Sequence, residues 1–175
     1  RAVPDSGVLP HSALLILAAR SNTPFRDEWW NDMVARLRRG PIGVQETSAI
    51  ASMTKCARDR VCAFPQHEMI AVFDAVLSHG GNAEIRNIRA DYALNVLRRP
   101  DEALQLWRSA IEMSPGEGQY RINRAKALIA LGRYAEARTE IAALRAMDRV
   151  GHDELAAREL EERLRRAEAS HQPPT

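Results

Sequence analysis

The feature that most constrains the fold of this chain is an internal repeat. Sliding the stretch from Glu84 to Ser114 forward by 34 positions places Ile88 on Ile122, Ala93 on Ala127, Leu94 on Leu128 and Leu97 on Leu131. The same shift, without a gap, puts Arg99 on Arg133, Glu102 on Glu136, Ala103 on Ala137 and Met113 on Met147. A period of this size marks units that cannot bury their apolar faces alone and must stack on neighbours. Within each copy the apolar positions recur at helical spacing: Leu94 and Leu97 at i, i+3, then Ala103, Trp107, Ala110 and Ile111 at i, i+4, i+7 and i+8. Each copy therefore reads as two amphipathic helices. Gly132 follows the run ending at Leu131, where a left-handed cap is wanted, and Pro100 stands where a second helix begins. Ser114-Pro115, followed by Gly116 and Gly118, breaks the chain between the copies.

Outside the repeat the periodicity stays helical but no 34-residue shift aligns it. A short apolar run lies at 13–19; Trp30, Met33, Val34 and Leu37 form a stripe that Gly40-Pro41 ends. A further helix is expected from about Val44 to Ala57. Another, opened by Pro65, places Met69, Ile70, Phe73, Val76 and Leu77 on one face and stops at Gly80-Gly81. From His152 to Ala169, Leu155, Leu160 and Leu164 sit among many charges, as suits a helix capping the open end of a stack. The expected organisation is one continuous all-α domain of about eight or nine helices. Residues 1–82 form irregular hairpins, 83–151 two repeats, 152–170 the capping helix and 171–175 a flexible tail.

A 34-residue helix-turn-helix unit with small residues at its crossing resembles the tetratricopeptide repeat. Leu94 and Leu128 match the leucine of that family's first helix, and Gly132 its turn glycine. Ala103, Trp107, Ala110 and Pro115 match the second helix of one copy; Ala137, Ile141 and Leu144 match the other, with Arg149 in place of the proline. Two positions depart: the usual aromatic of the first helix is Asn87 and Arg121, and a small mid-helix residue, Ala125, is Asp91 in the first copy. The resemblance implies a right-handed superhelix of stacked antiparallel hairpins that binds a protein or peptide in a concave groove. In that family's register Ile85, Ile88, Tyr92 and Asn95 line the groove in one copy. Gln119, Ile122, Lys126 and Ile129 line it in the next, with Asn123 beside them. From these, Ile88, Tyr92, Asn95, Gln119, Asn123 and Lys126 are the candidate binding residues. The alternative is that the isoleucines pack inward and the N-terminal half fills the groove.

Chemistry of the chain's own is not legible. The five histidines are scattered without a nucleophile context, and Gly116-Glu117-Gly118 lacks the Lys-Ser/Thr of a phosphate loop. Carboxylates such as Asp101-Glu102 and Glu161-Glu162 read as solvated helix faces. No catalytic residue, cofactor or metal is assigned. Cys56 and Cys62 are the only cysteines, and their close spacing suits a small disulfide-closed loop in an oxidising compartment, against two reduced thiols in the cytosol. With His67 they would make three zinc ligands where structural zinc wants four. The balance of 25 Lys+Arg against 23 Asp+Glu, a formal charge of +2, leaves no field to gather nucleic acid. The basic spots at Arg36, Arg38, Arg39, Arg98 and Arg99 complement helix ends. No apolar run approaches the length of a membrane span. The chain begins at Arg1 and not at Met, as a piece or processed product would.

The stretch from Cys56 to Ala75, followed by Tyr92-Ala93-Leu94-Asn95-Val96-Leu97, is similar to the soluble C-terminal region of certain bacterial membrane glycan enzymes. These are the family of O-antigen polymerases, O-antigen ligases and protein O-oligosaccharyltransferases. That resemblance implies a periplasmic, non-catalytic interaction domain tethered to the inner membrane through segments outside this chain, recruiting a protein partner or a glycan acceptor. Two other classes stay open: a free-standing exported or lipid-anchored adaptor for pilus or secretion assembly, and a cytosolic regulatory binder.

Overall fold

A computed structural model describes residues 42–61, 64–147 and 152–171, with positions 31, 34, 35 and 37–39 before them. Among the described residues every regular element is a helix: α1 (Val44–Arg58), α2 (Gln66–Leu77), α3 (Ala83–Asn95), α4 (Pro100–Met113), α5 (Gly118–Ala130), α6 (Tyr134–Met147) and α7 (His152–His171). The all-α expectation is met. The run at 13–19, Trp30, Met33, Arg36, Cys62, Arg149 and the tail from residue 172 lie outside the described residues.

The two copies fold as the hairpins α3–α4 and α5–α6, with α4 packed on α5 and α7 laid against both α5 and α6. Helices α1 and α2 both lie on α3. Ala103 and Ala137, equivalent under the 34-residue shift, are both fully buried, and the absence of a larger side chain there lets the paired helices approach closely. Pro100 opens α4 in its first turn, where a missing N–H costs nothing.

Two large cores result. The first joins Ile50 and Met53 of α1, Met69, Val72, Phe73 and Val76 of α2, and Ile85, Ile88 and Tyr92 of α3, with Val34 and Leu37. The second joins Ala90 and Ala93 of α3 to Trp107, Leu128, Ile141 and Leu144, and is closed by Ala157, Leu160 and Leu164 of α7. The buried face of α2 is Met69, Val72, Phe73, Ala75 and Val76, so Val72 and Ala75 stand where the expected stripe had Ile70 and Leu77, which are only half-buried. In α7 the seam is Ala157, Leu160 and Leu164 at i, i+3, i+7, whereas Leu155, expected on it, is 62% exposed. Its direction along the helix lies off that stripe.

The turns explain themselves by their carbonyls. At the end of α5 the Arg133 N–H donates to the Leu128 carbonyl at 2.9 Å and the Gly132 N–H to the Ile129 carbonyl at 3.1 Å, with Gly132 at φ 72°. This is a Schellman motif on the glycine that the sequence marks. The end of α1 repeats it without glycine: Val61 N–H reaches the Cys56 carbonyl at 3.0 Å and Arg60 N–H the Ala57 carbonyl at 3.2 Å, with Arg60 at φ 56°. After α3 the left-handed residue is Arg98, at φ 59°, the counterpart of Gly132 under the 34-residue shift. A residue with a Cβ pays about 1 kcal/mol in that conformation. Arg98→Gly is expected to stabilise the domain by about 0.5 kcal/mol after the added freedom of the unfolded chain is deducted, and Gly132→Ala to destabilise it by about 1 kcal/mol. Urea unfolding of the two variants checks the opposite signs.

Candidate partner-binding face

The residues expected to line a groove fall into two groups. On α3, Tyr92 is completely buried and Ile88 is 6% exposed, both inside the first core, so neither is open to a partner. The expectation for them is corrected, and the cause is that α1 and α2 cover the face of α3 that would have formed the groove. Ile85 on α3 and Ile129 on α5 are buried as well. Asn95 is half-buried and turned back on its own helix, donating to the Asp91 carboxylate at 2.8 Å and the Asp91 carbonyl at 3.1 Å. The α5 positions are more open to solvent. Gln119 and Lys126 are exposed and Asn123 half-buried, at i, i+7 and i+4 of one helix face.

These α5 residues are the outer end of a hydrogen-bonded ladder that joins three helices. The Gln119 amide donates to Asn123 Oδ1 at 2.9 Å, and the Asn123 amide donates to Asn87 Oδ1 at 2.9 Å. The same Asn87 oxygen accepts from the indole Nε1 of the buried Trp107, also at 2.9 Å. One turn earlier Tyr120 Oη donates to Glu84 Oε2 at 3.2 Å. Burial, with the Glu84 carboxylate beside it, pushes the Tyr120 hydroxyl up to about 12. The pairings of 84 with 120 and of 87 with 123 show that α3 and α5 run parallel, so successive first helices present their polar edges side by side.

The two departures from the repeat pattern acquire a reason here. Asn87, at a position where an aromatic is usual, is held by Trp107 and Asn123. Arg121, its counterpart in the second copy, donates to Glu140 at 3.0 Å and reaches the Met147 sulfur at 3.2 Å. Glu140, only 7% exposed, also takes Arg124. Asp91, which replaces a small residue, pairs with Arg58 of α1 at 3.2 Å. A polar group at an inward position is tolerated where a partner satisfies it. Sequence reasoning missed Glu84, Asn87 and Tyr120. The available signal was that Asn87 and Trp107 lie on facing helices of one hairpin.

Removing the acceptor should therefore be felt at Trp107. Asn87→Ala leaves a buried indole N–H without a partner and is expected to cost about 1–3 kcal/mol, whereas the same change in a Trp107→Phe background, which has no indole N–H to satisfy, should cost distinctly less. Denaturant unfolding followed by circular dichroism measures both.

Residues 97–164 match the family model of the tetratricopeptide repeat, a span running from the end of the first hairpin's turn into α7. No curated protein and no solved structure matches the chain. That match, over 97–164, and a fold in which copies 34 residues apart make equivalent alanine-packed hairpins agree, and together they support a tetratricopeptide-repeat-like arrangement for this part of the chain.

Proposed function

We propose that the chain is a non-catalytic protein-interaction domain that receives its partner on the edge formed by α3 and α5. The observation that carries this is the row on α5 of exposed Gln119 and Lys126 with half-buried Asn123 between them, backed by a ladder that already holds Asn87 and Trp107 in place. Preorganised donors of this kind cost little ordering entropy when a peptide backbone arrives. Tetratricopeptide repeats support such a role in general. Lys126 adds a cation with no ion pair among the described residues.

The setting we favour is the bacterial periplasm, as a soluble part of an inner-membrane glycan polymerase, ligase or related glycosyltransferase, where the domain recruits a protein partner or an acceptor. The resemblance of the Cys56–Ala75 stretch to such enzymes supports it. So does the cysteine pair. Cys56 lies near the end of α1, 8% exposed in the first core, and a bridge to Cys62 would close a short loop at the junction with α2. By the chain-entropy argument so short a loop contributes about 2 kcal/mol. Among the described residues no helix is long and apolar enough to cross a membrane.

Site-specific photocrosslinking in native cells tests the face. A benzophenone amino acid at Gln119 or Lys126 should yield a discrete adduct, and one at the exposed Arg108 or Glu112 of α4 should not. Adducts of equal yield from both pairs, or from neither, would contradict the assignment. Alkylation before and after reduction tests the compartment on the same material: protection of both cysteines until reductant is added is expected, and ready alkylation without it would favour a cytosolic binder.

A further inference from the structure

The first helices of the stack meet at a second feature that the polar ladder does not use. A hollow of about 510 Å³ opens between the start of α1 and the start of α3. Its apolar lining is Ile42, Val44 and Ala51, its hydroxyl edge Thr47 and Ser48, and Glu84 stands on the α3 side. Val44 is 87% exposed, more than any other large hydrophobic residue described, so an apolar surface is held in water beside a concavity with room for more than one side chain. The surface is not a sign of poor packing nearby, because Ile50 and Met53 on the same helix are completely buried.

A cation at its lining, Arg86, is turned to the Gly80 and Asn82 carbonyls and does not pair with the carboxylates beside the hollow. Glu84 accepts from Tyr120 and Asn87, and Glu46 folds back to accept the Gly43 N–H at 3.0 Å; neither carboxylate has an ion pair among the described residues. Elsewhere in the stack arginines neutralise carboxylates repeatedly, as in Arg89–Glu102, Arg121–Glu140, Arg133–Glu136 and Arg145–Glu161. The positive ends of α1 and α3 offset part of the charge of Glu46 and Glu84, and water screens more of it. What remains favours a cation next to an apolar group.

We propose that this hollow docks an extended peptide segment in which an apolar side chain is flanked by lysine or arginine. The apolar side chain packs on Ile42, Val44 and Ala51, and the flanking cation lies over Glu84. The inference rests on the interaction-domain reading and supplies a partner chemistry for it. Because Glu84 also belongs to the α3–α5 ladder, a segment seated here would lie against the edge that Gln119 and Lys126 continue.

Titration of the full chain with blocked tripeptides, followed by amide chemical shifts, tests this directly. Acetyl-Lys-Leu-Lys-amide is expected to give saturable shifts confined to the amides around Val44, Ser48, Ala51 and Glu84. Acetyl-Glu-Leu-Glu-amide should bind at least about threefold more weakly, an effect of the size exposed charge pairs produce. Glu84→Gln retains an acceptor for Tyr120 and should bring the two peptides to within about twofold of each other. Val44→Ser, at an exposed position that the fold does not need, should weaken both. Shifts that do not saturate, a preference for the acidic peptide, or a charge preference that survives Glu84→Gln would each overturn the proposal. Failure here together with specific crosslinks from Gln119 and Lys126 would remove this hollow and leave the α3–α5 edge as the binding face; failure of both would remove the interaction-domain reading itself.

Discussion

Helix α3 is buried on two sides, and the rest of the domain depends on that double contact. Ile85, Ile88 and Tyr92 face α1 and α2, while Ala90 and Ala93 face the repeat core. A helix exposed on either side would leave one core without a wall. Burial of this kind is non-directional and stabilises at roughly 25 cal/mol per Å² of apolar surface, so it brings the irregular N-terminal helices and the regular repeats into contact without requiring that they share a sequence pattern. The same contact decides the accessible surface. It closes the α3 part of the expected groove and leaves α5 to present the polar row.

Polar groups then select one arrangement among those that burial would permit. Arg89, on the covered side of α3, places its guanidinium 5.1 Å from the centre of the Phe73 ring and donates to Glu102 at 2.8 Å. One side chain thus contacts α2 and α4 at once. Such a pair adds little net stability compared with a well-packed apolar substitute, but loss of one partner leaves a buried charge and costs about 3–5 kcal/mol. Phe73 also meets Tyr92 with ring centroids 5.6 Å apart, and burial pushes the Tyr92 hydroxyl up. In the second core the Arg121, Arg124 and Glu140 group plays the corresponding part between α5 and α6. Arg133 then links the copies, paired with Glu136 at 2.6 Å and with Asp101 at 3.3 Å.

The repeat itself was legible because its signals are local: alanine at a helix crossing, proline at a helix start and glycine in a left-handed turn each act over a few residues. The groove was legible only in part because exposure is set by neighbours distant in sequence. Positions 85 and 92 in the first copy correspond to 119 and 126 in the second, yet the residues are Ile and Tyr in one and Gln and Lys in the other. That contrast, read as a statement about which copy is covered, would have predicted a buried Tyr92. A register taken from a family treats both copies as equally open and passes over it. Asn87 was missed for a related reason: it departs from the family pattern, and the partners that account for it, Trp107 and Asn123, lie on other helices.

The central claim is that α1 and α2 are integral to the stack through α3 and are not an appended lobe. Native-state hydrogen exchange under conditions where closing outpaces exchange tests it most directly, by comparing slowly exchanging amides around Met53, Val72, Tyr92 and Leu128. Comparable opening free energies at all four, with a shared response to low denaturant, are what this account predicts. Amides of α1 and α2 that open well below those of α3 and α5, in a separate transition, would contradict it.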